Sequence, residues 1–127
     1  MLWSISRRKI STMRSLPELI VCNTSTSTKP GRHWVVLHND KNRREEYFDS
    51  FGRCPTERFT KYSNDNCVGW IWNDWQIQSV ISKCYGHYCI FYCLYRSREL
   101  DVRKVARMFT KYTSLNDSVV HNSVCKV

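Results

Sequence analysis

Glycine and proline are scarce, at four and three in 127 residues. That scarcity excludes collagen-like and low-complexity classes. Apolar runs stop after a handful of residues, so no segment is expected to cross a bilayer. Residues 1–17 contain no acidic side chain and no apolar core stretch, so no secretory signal is expected. Internal repeats and a long polybasic tail are also missing. The seven cysteines, at 22, 54, 67, 84, 89, 93 and 125, never stand at C-x-x-C spacing. Reduced thiols in an intracellular compartment are therefore expected. An odd count leaves at least one thiol free in a monomer.

What is present argues for a folded chain with one core of moderate size. Hydrophobic residues make up 42% and aromatics 13%. Twenty Lys and Arg stand against eleven Asp and Glu, a net charge of +9. Such a surplus suggests an anionic partner: nucleic acid, an acidic protein or an anionic surface. General solubility accounts for it equally simply. Residues 1–17 carry four bases and four serines, the composition of a mitochondrial transit peptide. The alternative is the remnant of a first helix ahead of a domain at 18–127, and this is the preferred reading.

Residues 18–23 (ELIVCN) read as a buried strand between Pro17 and a Ser/Thr run. Residues 33–38 (HWVVLH) and 46–49 (EYFD) read as two more, joined by a polar hairpin over 39–44. A loop at 51–55 and a short helix at 56–62 follow, then strand-like stretches at 70–72 and 75–77. Residues 86–98 are apolar almost all round and suit a central buried helix. Asp101 can cap the next helix. In it Val102, Val105, Ala106, Phe109 and Tyr112 share one face, and Arg103, Arg107 and Lys111 form a basic stripe. A last helix is expected over 117–126. Strands first and helices last indicate an α+β fold, a small mixed or antiparallel sheet packed on a central helix.

Thiol catalysis needs a nucleophile, a base, an orienter for the base and an oxyanion donor. Candidates occur in that chain. His33, in G-R-H-W, would take the thiol proton. Asp49, in Y-F-D-S-F-G, would fix the imidazole through its other nitrogen. Gln78, in Q-I-Q-S, would donate its amide to the oxyanion. A thiol at the start of the helix in K-C-Y-G-H-Y-C would have its pKa depressed by the helix dipole. Taken singly, a strand His beside Trp or a strand-ending Asp is more often structural.

The ordered set N-T-(eight residues)-H-W, Y-F-D-S-F-G, Q-S and G-x-x-C resembles the adenovirus protease (adenain) family, in particular relatives encoded by Polinton-like and adintovirus-like elements. The resemblance covers residues 18–125. It implies a papain-like, clan CE cysteine protease fold, with the Cys at the N-terminus of a central helix. It also implies an endopeptidase that matures capsid or other structural proteins, as a monomer in the nucleus or virion of a viral system. It requires no cofactor and no metal, and it implies DNA as an activator.

One departure bears on activity. The family pattern is Q-S, five residues, then C-G, and the seventh position from Gln78 is Tyr85, immediately before Gly86. Cys84 stands one position early. Adjacent residues at a helix start differ in direction by about 100°, so Cys84 is expected to aim away from His33. The expectation is impaired or lost activity, with Tyr85 at the nucleophile position. The competing expectation is that Cys84 has taken over.

Two further classes stay open. Arg103, Arg107 and Lys111, with Arg96 and Arg98, would suit a nucleic-acid- or capsid-binding module. The ubiquitin-like-protein proteases share the His-Trp, Asp and Gln logic, but the flanks fit them less well. Cys89 and Cys93 stand four apart on one helix and with His87 suggest a metal pair. The spacing matches no structural zinc motif, and core packing is the favoured reading. His38 and His121 have no evident partners and are expected at the surface.

Overall fold

Every residue of 35–39 is buried, so this stretch has no solvent face. A strand covered on both sides reads as a continuous apolar run, not an alternating one. The computed structural model, which describes residues 2–4, 16–24 and 33–125, places it at the centre of a sheet. The strands are β1 (Leu2–Ser4), β2 (Glu18–Asn23), β3 (Trp34–Asn39), β4 (Arg44–Phe48) and β5 (Gly69–Trp72), and they lie side by side in that order. β3 is antiparallel to β2 and β4, while β1 and β5 add in parallel at the two edges.

The period-2 alternation of β3 and β4 divides the core in two. Val35, Leu37 and Tyr47 join Ile20 and Cys22 on one face, under Phe59 and Tyr62 of α1 (Glu57–Asn66). Val36 and Phe48 join the other face, under α2 (Tyr85–Arg96), α3 (Val102–Ala106) and α4 (Thr113–Val124). The Phe48 and Tyr92 rings stack there at 4.7 Å. The fold is α+β as expected, with helices on both faces of the sheet and not on one alone. Among the described residues, no helix is long and apolar enough to cross a membrane.

Several elements differ from their sequence expectation. Residues 2–4 form a strand beside β2; the rest of the expected N-terminal helix lies outside the described residues. Residues 75–77 are not a strand, because Ile77 and Gln78 both donate their N–H to the Ser50 carbonyl. Helix α2 is not buried all round: Ile90 stays 44% exposed. Asp101 caps α3 by accepting from the Lys104 N–H at 2.8 Å, but that helix ends at Ala106. Buried Asn116 holds both the N–H and the carbonyl of Thr110, groups a longer helix would have used itself. Tyr112 is therefore exposed, and Lys111 lies over its ring instead of extending a basic helical face.

Candidate active site

His33 immediately precedes β3 and Asp49 immediately follows β4, so the hairpin sets them side by side. His33 Nε2 lies 2.7 Å from Asp49 Oδ1. The Asp49 carboxylate is an acceptor, so Nε2 carries the proton and Nδ1 keeps the lone pair. Nδ1 is buried and has no hydrogen-bond partner among the described residues. The imidazole lies against Phe51, with ring centroids 4.7 Å apart.

Asp49 is fixed from three directions. Its Oδ1 also accepts the Phe51 N–H at 2.8 Å. Its own N–H donates to Asn73 Oδ1 at 2.9 Å, and Asn73 Nδ2 donates back to the Asp49 carbonyl. Asn73 is 1% exposed, a residue sequence reasoning missed. Its only signal was an Asn-Asp pair just after a tryptophan-rich strand, which reads equally well as a turn. Gly52 closes the loop at φ 66°, and a Cβ there would collide with the Trp75 backbone. A side chain at 52 is therefore excluded both by conformation and by space.

Gln78 points into the interior. It is fully buried; its Nε2 donates to the carbonyl and hydroxyl of Ser82 at 3.1 Å, and its Oε1 accepts from Ser50 Oγ at 2.6 Å. Both ends of the amide are committed, so in this geometry Gln78 ties the Asp49 loop to the approach to α2.

Cys84 and Tyr85 stand at the start of α2 in different surroundings. Cys84 is the N-cap, its N–H donating to Ser82 Oγ at 3.2 Å. Its side chain packs against the core cluster that contains Tyr88 and Ile77. Among the described residues no hydrogen bond joins Cys84 to His33. Tyr85 faces the imidazole instead, edge to face, with centroids 6.2 Å apart. The next residue along the helix has turned toward the base, and it carries a phenol.

The remaining candidates are dispersed. Arg103 and Arg107 line a groove with Trp70, Trp72, Asp74 and Trp75 at the β5 edge, and Lys111 is not part of it. Cys89 donates its thiol to the Trp34 carbonyl at 3.5 Å, and burial raises the pKa of both Cys89 and Cys93. Cys89 belongs to the core cluster and Cys93 packs against it, the favoured reading of the pair. His38 is not at the surface: it is 8% exposed and accepts from Arg96 Nε at 3.2 Å. Burial, with the Arg96 charge second, pushes it down to about 4. His121 lies against His87.

No protein-family model and no curated protein sequence matches the chain. Solved structures do. The selenomethionine form of the ASFV pS273R protease superposes with a TM-score of 0.58 at 20% identity, over 81% of this chain and 43% of that one. A second structure of the same protease gives 0.54 at 20% identity, over 78% and 40%. The SUMO protease Ulp1, with its catalytic cysteine oxidised to a sulfonic acid, gives 0.40 at 16%, over 84% and 54%, too low to bear on the argument. The chain therefore shares its fold with the ASFV protease and spans less than half of that protein's length.

Proposed function

We propose that this chain is an adenain-like, protease-fold domain that no longer hydrolyses peptides and serves to hold a viral or mobile-element capsid or polyprotein segment. The observation that carries the reading is the pairing of a complete base with a filled nucleophile position. Asp49 holds Nε2–H, which leaves Nδ1 free to accept a proton. A thiol at residue 85 would stand beside that imidazole. A phenol there is a poor acyl acceptor, and its ring stands edge-on to the imidazole. Cys84, one residue back, is partly buried and packs against the core cluster.

Peptide-library hydrolysis by the purified chain tests this. No turnover is expected from the native sequence, whereas the double variant Tyr85→Cys, Cys84→Ala gains it. Native turnover abolished by Cys84→Ser would overturn the reading and make Cys84 the nucleophile. Native cleavage of a ubiquitin-like fusion would point to the related protease class instead.

The groove lined by Arg103 and Arg107 with three tryptophans favours a second reading, contact with nucleic acid. DNA binding that weakens steeply with salt is then expected. The slope should fall with Arg103→Glu and Arg107→Glu and change little with Lys111→Glu. Salt-insensitive or absent binding at low ionic strength would dismiss it.

A further inference from the structure

Outside the groove, a second chemical cluster sits where α2 and α4 meet. His87 lies in the first turn of α2, and His121 and Cys125 are one helical turn apart at the end of α4. One ligand atom from each of the three lies within 4.8 Å of the others. The two imidazoles are 5.4 Å apart, and the Cys125 sulfur is 3.8 Å from each ring nitrogen of His121. Apart from that His121–Cys125 contact, no side-chain hydrogen bond or ion pair engages the three among the described residues. Their donor atoms are therefore uncommitted.

We propose that His87, His121 and Cys125 bind one zinc-class divalent cation, clipping the end of α4 to the opening turn of α2. The donor set selects the ion: two imidazoles and a thiolate are borderline-to-soft ligands, which favour Zn²⁺ over Mg²⁺ or Ca²⁺. The spacing is right as well. Tetrahedral zinc, with bonds of about 2.0–2.1 Å to nitrogen and 2.3 Å to sulfur, sets its ligand atoms roughly 3.3–3.6 Å apart. The cluster, within 4.8 Å, needs to close by little more than an ångström to reach it. The helix frame is already fixed, because Tyr88 of α2 donates to Asp117 of α4 at 2.7 Å, one turn from His121. Preorganised helices lower the entropic cost of assembling three ligands. His87 is half-buried while His121 and Cys125 are exposed, so the ion enters from solvent and a water completes its shell.

The test is titration of the metal-stripped full chain with Co²⁺, followed by displacement with Zn²⁺ in competition with a chromophoric chelator. One equivalent is expected to bind, with the visible bands of tetrahedral Co²⁺ and a sulfur-to-cobalt charge-transfer band. Cys125→Ser removes the charge-transfer band, and His121→Ala weakens Zn²⁺ binding about tenfold or more. Cys54→Ser, at another exposed thiol, leaves both signals intact. Both α4 variants alter exposed side chains, and circular dichroism verifies their folding. A charge-transfer band that survives Cys125→Ser, or a Zn²⁺ affinity unchanged by His121→Ala, would overturn the proposal.

Discussion

The two banks of the His33–Tyr85 contact are built to different standards. On the sheet bank, Asp49 is held through its carboxylate by His33 and the Phe51 N–H, and through its backbone by Asn73. The same loop is bound through Ser50 to Gln78 and Ile77. On the helix bank, Cys84 caps α2 without a side-chain hydrogen bond, Tyr85 is half-buried, and Val80 and Ile81 before them are exposed. The more heavily bonded half holds His33, and the less bonded half holds Tyr85. A bonded network of this kind stabilises the fold whether or not chemistry takes place. The pair can therefore persist in a domain without turnover, and its presence alone does not certify an enzyme.

Four measurements break or sharpen that contrast, the largest first. In the Tyr85→Cys, Cys84→Ala background, Asp49→Asn is expected to cost roughly 10³–10⁴-fold in turnover, because the amide no longer enforces the tautomer. A loss under tenfold would mean that the sheet bank does not orient the base.

The second compares two buried carboxylates. Asp49 has an imidazole partner, whereas Glu45, 1% exposed, accepts from Ser63 and the Cys67 thiol and meets no cationic side chain among the described residues. Burial pushes Glu45 up from 4.5 to about 7. A folded pKa above the unfolded one means that the native state binds the extra proton. Its contribution is full below about pH 4.5 and lost as pH rises through 7. Glu45→Gln should therefore be more stable than the native chain at pH 8, by roughly 2–3 kcal/mol, with the gain gone at pH 4.5. Melting temperatures across that window check it, and a pH-independent difference would count against it.

Third, Asn73→Ala strands a buried N–H and carbonyl of Asp49. A loss of about 2 kcal/mol in denaturant unfolding is expected. Fourth, Tyr85→Ala on the loose bank should cost about 1 kcal/mol or less, since the ring is half in solvent. If Tyr85→Ala proved costlier than Asn73→Ala, the two banks would have to be exchanged in this account.

Local signals made much of the architecture legible. Residues 18–23 appear as β2 without adjustment, and the helix expected at 86–98 is α2 at Tyr85–Arg96. Asp101 is a cap because its side chain answers a local N–H, a requirement visible within four residues. The failures have long-range causes. Helix α3 stops early because Asn116, ten residues beyond Ala106, takes the Thr110 backbone. Residues 75–77 follow Ser50 instead of a neighbouring strand. Within the groove, the juxtaposition of His33 and Asp49 follows from one hairpin and was therefore readable. The commitment of Gln78 to Ser82 and Ser50, and the clamp by Asn73, depend on how loops meet in space, and no periodicity encodes that. His121 and Cys125 stood at helical spacing in the sequence, but only the packing of α4 on α2 brings His87 to them.

The β3–β4 hairpin acts as a gauge. Residues 40–43 turn the chain, with Asp40 Oδ1 accepting the N–H groups of Asn42 and Arg44, and that turn fixes which residues of β4 look up and which look down. Inserting one residue there would exchange the outlooks of Glu45 and Glu46 and swing Asp49 off its imidazole. The length of a short, solvent-washed bend thus dictates whether His33 meets Asp49 at all.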